Sequence, residues 1–173
     1  MIADPEKGSM ELVDDMYFSR LKEVYEIKSI LAAAWLLPRN VLETVGGFDP
    51  IFFHYGEDDN YLQRALYHGF KVGVCPLCPI VHDAESARVK EAVEYRKKTY
   101  AIKRDWLLEW CDVNRELNPN QSLFLLKKCV SQLLQFNVKR ASYYWDEYRY
   151  YRENKKAIWS SWSTNRNVGS HYL

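Results

Sequence analysis

The spacing of apolar residues changes character near residue 85, and that change limits the folds open to this chain of 173 residues. Upstream, from about 29 to 84, short apolar runs alternate with helical patterns. Ser29 to Leu37 reads as a strand, and Pro38 to Val45 as a short helix stopped by Gly46-Gly47. Phe48 to Gly56 is a loop, and Asp58 to His68 a helix with Gly69 placed for its C-cap. Phe70 to Cys75 and Ile80-Val81-His82 read as further strands. Downstream the pattern is helical. Ser86 to Asn114 is one long run, and Asn118-Pro119-Asn120 breaks it. Ser122 starts a second helix with Leu123, Leu126, Val130, Leu133, Ala141, Trp145 and Tyr148 on one stripe. Residues from about 163 have the composition of a loose tail. Before residue 28, Leu12, Val13, Met16, Tyr17, Leu21 and Val24 fall near helical spacing and predict a helical segment.

Apolar residues make up 47% of the chain, enough for a core. Charge is balanced, with 24 Lys and Arg against 23 Asp and Glu. That balance excludes a generally basic nucleic-acid binder and an acidic solvating tail, so no nucleic-acid partner is expected. Neither a G-x-G-x-x-G nor a G-x-x-x-x-G-K-[ST] run occurs, which disfavours a self-contained nucleotide site. Asp4, Glu6 and Glu11 interrupt the N-terminus, unlike a signal peptide. The longest apolar run, Ile30 to Leu37, is far short of the ~20 residues of a membrane helix. Cys75-Pro-Leu-Cys78 lacks a second metal-binding pair at zinc-finger spacing and reads as two small apolar residues in a buried strand and turn. With Cys111 and Cys129 it forms no disulfide framework, so a reducing, cytoplasmic compartment is expected.

The chemistry concentrates between Gly47 and Asn60. Glu57, Asp58 and Asp59 are three adjacent acids at a loop-to-helix junction, preceded by Phe52-Phe53 and Tyr55. One carboxylate there would cap the helix, because unpaired N–H groups and the positive end of the dipole favour it. Three exceed what a cap requires. A carboxylate on a rigid junction beside aromatic walls suits a general base.

Ala34-Trp35-Leu36-Leu37-Pro38-Arg39, then Gly46-Gly47-Phe48-Asp49, Phe52-Phe53, Glu57-Asp58, Arg64, Gly69 and Val81-His82 form an ordered set over about 50 residues. That set resembles the C-terminal half of a family 2 glycosyltransferase, closest to bacterial rhamnosyltransferase-like members that build surface polysaccharides. The resemblance implies an α/β fold: a partial GT-A domain over 1–84, followed by a helical extension over 85–173.

In such enzymes the Glu-Asp pair supplies the base, which maps to Asp58, with Glu57 as its neighbour and acceptor contact. The base deprotonates the acceptor hydroxyl as it attacks the anomeric carbon, and one displacement inverts that centre. The resemblance further assigns acceptor contacts to Trp35, Gly47, Phe48, Asp49, Tyr55 and Arg64; sugar faces stack on aromatic rings. His82 matches a position that completes a divalent metal site, for Mn²⁺ or Mg²⁺, although a lone His at a strand end is also an ordinary hydrogen-bonding residue. Asp83 either orients that imidazole or ends the strand. His54 and His68 read as loop and helix-end residues.

The implied partners are a nucleotide-sugar donor and a saccharide or lipid-linked acceptor. A complete family member also has a βαβ half with an Asp-x-Asp metal motif. Asp14-Asp15 does not match it, because no strand precedes it, and roughly 90 to 110 residues of such a domain are expected to be missing. Exposed sheet edges would then favour self-association. Three readings stand: a glycosyltransferase half, a non-catalytic interaction module derived from one, or a peripheral element on the inner face of a membrane. The last rests on Tyr143, Tyr144, Trp145, Tyr148, Tyr150, Tyr151, Trp159 and Trp162 interleaved with Lys139, Arg140, Arg149, Arg152, Lys155 and Lys156. The same aromatics would equally pack inward or across a dimer.

Overall fold

The computed structural model describes residues 10–28, 30, 34–53, 55–81 and 92–173. The chain opens with α1 (Met10–Tyr17), which turns at Ser19 (φ 54°) into β1 (Tyr25–Ile27). Asp15, buried on α1, accepts hydrogen bonds from Tyr25 Oη (2.8 Å) and Arg20 Nε (2.7 Å). Those two donors hold its carboxyl below the usual carboxylate range.

The helical reading of the first 28 residues is therefore corrected in part. Tyr25-Glu26-Ile27 buries its outer two side chains and pairs antiparallel with β2 (Val72–Val74) in the register Tyr25↔Val74, Glu26↔Gly73, Ile27↔Val72. Three residues of alternation are too few to stand out beside the helical spacing around them. A Cβ at Gly73 would lie 2.7 Å from Val24 Cγ1, so a larger residue there would have to displace that exposed side chain.

Among the described residues this pair is the whole of the sheet. The strand expected over 29–37 is not seen at Ile30 or at 34–37, and the rest of that span lies outside the described residues. Ile80 and Val81 are exposed and carry no strand; His82 lies outside the described residues.

Local signals set the two middle helices. α2 (Arg39–Val45) follows Pro38, whose C=O accepts from the Val41 and Leu42 amides, and ends at Gly46 (φ 83°). α3 (Glu57–Tyr67) closes through a pair of backbone bonds, Phe70 N–H to Ala65 O and Gly69 N–H to Leu66 O, with Gly69 left-handed at φ 83°. That is the Schellman arrangement. Val41, Val45, Tyr61 and Ala65 form a small core between them, flanked by Trp35, Leu37 and Phe70.

The rest is helical: α4 (Ala92–Trp110), α5 (Gln121–Leu134) and α6 (Val138–Asn165). The break at 118–120 is as expected. The single helix expected from Ser122 is in fact two, because Phe136 turns left-handed (φ 55°) and Asn137 caps α6, its Oδ1 accepting from Arg140 N–H. Apolar spacing runs on across the three-residue turn, so periodicity does not register it. The stripe is also re-sorted. Leu125, Cys129 and Ala141 face the core, whereas Leu123, Val130, Leu133 and Trp145 are exposed. α5 carries apolar residues on two faces, and its neighbours choose between them.

The main core gathers Trp106, Leu107, Trp110 and Cys111 from α4 and its end, Leu125, Tyr151 and Ile158, with Phe52 inserted from the loop before α3. Phe52, from the 1–84 segment, thus packs into the core of the 85–173 segment. Several α6 aromatics are spent here. Trp110 stands edge-on to Tyr151 (5.0 Å between ring centroids), and Trp106 does so to Tyr143 (5.4 Å). Trp159 Nε1 donates to Tyr151 Oη and Trp162 Nε1 to Arg115 O. No helix among the described residues is long and apolar enough to cross a membrane.

The tail is not loose. α6 runs to Asn165, and the following residues dock on the α2 stop. Gly47 N–H donates to His171 O (2.7 Å) and Gly169 N–H to Thr44 O (2.9 Å). A Cβ at Gly46 would sit 2.1 Å from His171 O, and one at Gly47 2.5 Å from Tyr172 O. Only glycine lets the two backbones approach this closely.

Candidate functional site

The three acids lie in the first turn of α3, as the sequence predicts. Gly56 precedes them at φ 93° and offers no side-chain cap. Asp58 Oδ1 instead accepts from the Asp59 amide (2.9 Å), so one of its oxygens is anchored at the helix start. Glu57, Asp58 and Asp59 are all half-buried. Gly56 also lets the junction run against α4, since a Cβ there would lie 2.8 Å from Arg104 Cγ.

Aromatic residues precede and follow this junction along the chain. Phe53 and Tyr55 project outward, with Tyr55 held at φ 65°. Trp35, Phe48 and Tyr61 form a cluster of their own. Ring centroids are 6.0 Å apart for Trp35–Phe48, 5.8 Å for Trp35–Tyr61 and 5.1 Å for Phe48–Tyr61. Phe48 remains 45% exposed, so the cluster has an open edge.

Asp49 and Arg64 occupy a different environment, the interior. Asp49 Oδ2 accepts from Ser161 Oγ (2.6 Å), Asn165 Nδ2 (2.7 Å) and Tyr172 Oη (3.4 Å), and Oδ1 from the Ile51 amide (3.0 Å). Arg64 is fully buried. Its guanidinium donates to Gly47 O (2.9 Å) and to Val45 O, and lies between the rings of Tyr61 (5.3 Å) and Tyr172 (5.4 Å). Burial lowers the Arg64 pKa, and the charge of Asp49 works against that shift. The Tyr172 phenol is pushed up to about 12, chiefly by burial and then by Asp49. Gly47 is covered by the C-terminal segment. Gly47, Asp49 and Arg64 therefore hold the loop and the tail together, while Phe48, Phe53 and Tyr55 are exposed and the acids half-buried.

The sequence reading missed Asn60, Ser161, Asn165 and Tyr172. Asn60 is wholly buried, and neither its Nδ2 nor its Oδ1 has a partner among the described residues. Glu57 Oε2, Trp35 Nε1 and Arg64 Nε are likewise buried without one. Residues 57, 60 and 64 share one helix face, so three of these groups line up along α3. The spacing from Glu57 to Asn60 and Arg64 is visible in the sequence, as is the i, i+4 pair Ser161–Asn165. Nothing local shows that the latter meets Asp49.

The remaining histidines behave as follows. His68 Nε2 lies 3.0 Å from Asn165 O, a helix-end contact. His54, His82 and Asp83 lie outside the described residues. Among the described residues no group of three or more His, Cys, Asp or Glu is gathered as a metal site would need. The described side chains do not fit a divalent ion by themselves. Comparison with known protein families, with curated proteins and with solved structures gives no match.

Proposed function

We propose that this chain carries the acceptor and base side of an inverting, nucleotide-sugar-dependent glycosyltransferase. The observation that carries the reading is Asp58, fixed by one oxygen at the α3 start, with Phe53 and Tyr55 exposed in the loop just before it and Tyr61, one turn on, in the Trp35–Phe48–Tyr61 cluster. A sugar presents apolar C–H faces and hydroxyl rims. The rings suit the first and the acids suit the second. Asp58 would take the proton of the acceptor hydroxyl as its oxygen attacks the anomeric carbon of the donor, and the nucleoside diphosphate leaves from the opposite side. Glu57 would hold a neighbouring acceptor hydroxyl. Asp49 and Arg64 act as positioning residues that fix the loop carrying Phe48. The acceptor is a saccharide or a lipid-linked saccharide.

A second reading, a non-catalytic module derived from such an enzyme, is favoured by one observation. Gly47, Asp49 and Arg64 are turned to the tail and not to open space. Two measurements separate the readings. Tryptophan fluorescence titration with a panel of oligosaccharides should show saturable binding that Tyr55→Ala weakens. Transfer from radiolabelled UDP-, GDP- and dTDP-sugars, tested with added Mn²⁺, should fall ~10²- to 10⁴-fold in Asp58→Asn, the usual contribution of a general base. Absence of saccharide binding refutes the proposal. Binding without transfer favours the second reading, and transfer untouched by Asp58→Asn refutes the assignment of Asp58 as the base.

A further inference from the structure

We propose that Cys75 and Cys78 are a redox pair that closes reversibly into an intramolecular disulfide. Both are exposed, contrary to the buried strand and turn that the sequence suggests, because the chain leaves the two-stranded sheet after Val74 and turns in solvent. The turn is well defined. Cys78 N–H donates to Cys75 O (3.2 Å), which makes Cys75-Pro76-Leu77-Cys78 a hydrogen-bonded β-turn. Proline fixes φ near about −65° at the second position. Leu77 is not among the residues with positive φ, so the turn is of the type I kind and not type II.

The turn brings the two Cα atoms into the range a disulfide spans. The first and last Cα atoms of a β-turn lie within about 7 Å, and a disulfide bridges Cα atoms roughly 4.4–6.8 Å apart. Cys75 is anchored through Val74, which is paired with Tyr25. Leu77, inside the ring that would close, is 57% exposed and is not packed against the core. The other two cysteines are sealed: Cys111 is fully buried and Cys129 nearly so. Burial pushes the Cys111 thiol up to about 12, which keeps it protonated and unreactive.

The oxidant is a small disulfide such as oxidised glutathione. One cysteine thiolate attacks a glutathione sulfur and releases one glutathione thiolate, leaving a mixed disulfide. The second cysteine thiolate attacks the protein sulfur of that bond and displaces the other glutathione. Two electrons pass from the cysteine pair to the oxidant, and the two thiol protons end on two glutathione molecules.

The test uses the full chain in reduced and oxidised glutathione, quenched by alkylation and read by intact mass and peptide mapping. Under reducing conditions, native protein should alkylate at two sites quickly and at the other two only in urea. Under oxidising conditions it should lose two hydrogens, both fast sites and no others, with a cross-link mapped between Cys75 and Cys78. Cys75→Ser and Cys78→Ser should each carry one glutathione adduct instead. Stable glutathione adducts on the unmodified protein, disulfide-linked dimers as the main product, or fast alkylation at Cys111 or Cys129 would each overturn the proposal.

Discussion

Replacing Asp49 by asparagine removes one charge and one acceptor from a site where the fold uses both. Ser161 Oγ at 2.6 Å and Asn165 Nδ2 at 2.7 Å donate to Oδ2, while the Ile51 amide at 3.0 Å donates to Oδ1. The new amide group must turn its NH₂ toward one of these donor sets. A buried donor facing a donor costs about 1–3 kcal/mol, and each surviving bond drops from charged to neutral strength, a loss of about 1 kcal/mol apiece. Arg64 also loses the charge that most supports its protonated form in the interior. The sum is about 3–5 kcal/mol, the range seen when one partner of a buried charged network is removed. For a chain of this size that lowers Tm by roughly 10 °C. Urea unfolding followed by tryptophan fluorescence and far-UV circular dichroism would measure it. Asn165→Ala in the same background should cost less than it does alone, since both changes strike one network. A loss below about 1 kcal/mol, with an unchanged denaturant slope, would refute the view that this carboxylate joins loop to helix.

Glu147 is buried on α6, and its carboxyl is raised to about 7, first by burial and then by Glu109 on α4, with Lys128 on α5 opposing. The folded state keeps this proton where the unfolded chain has lost it. The contribution is therefore fully present below about pH 4.5 and lost as pH rises through about 7, worth about 3 kcal/mol at most. Glu147→Gln should flatten that slope in urea titrations from pH 5 to 8; parallel curves would contradict it. Gly46→Ala must accept φ 83° and a Cβ 2.1 Å from His171 O, so it should cost at least about 2 kcal/mol and open the tail to carboxypeptidase. Unchanged digestion would show that the tail does not need this groove. Tyr172→Phe should remove the part of the alkaline stability loss that falls between about pH 10 and 12, where the folded phenol holds its proton and the unfolded one does not; an identical alkaline profile would argue that this phenol is not buried.

How far the sequence reached depended on the range of the contact involved. Pro38 and Gly46 bound α2, Gly69 closes α3, and Asn118-Pro119-Asn120 separates α4 from α5. Each is a local effect of backbone dihedrals and unpaired amides, so it can be read from neighbouring residues. The same holds for Asp58 at the α3 start, where the helix itself supplies the amide that fixes it.

Tertiary structure decided what local pattern could not. Asp49 meets Ser161 and Asn165 across 112 and 116 residues, and β1 finds β2 across a similarly non-local gap. No periodicity carries such a pairing. α5 offers two apolar faces, and only packing against α6 selects Leu125 and Cys129 over Leu123 and Val130. Docking of the tail on Gly46-Gly47 converts Asp49 and Arg64 from residues that resemble acceptor contacts into an interior tie, while Cys75 and Cys78 come to the surface because a sheet of two strands ends beneath them. Composition and spacing determine which elements form. Burial, and with it the chemistry left to each side chain, is set by what folds over it from elsewhere in the chain.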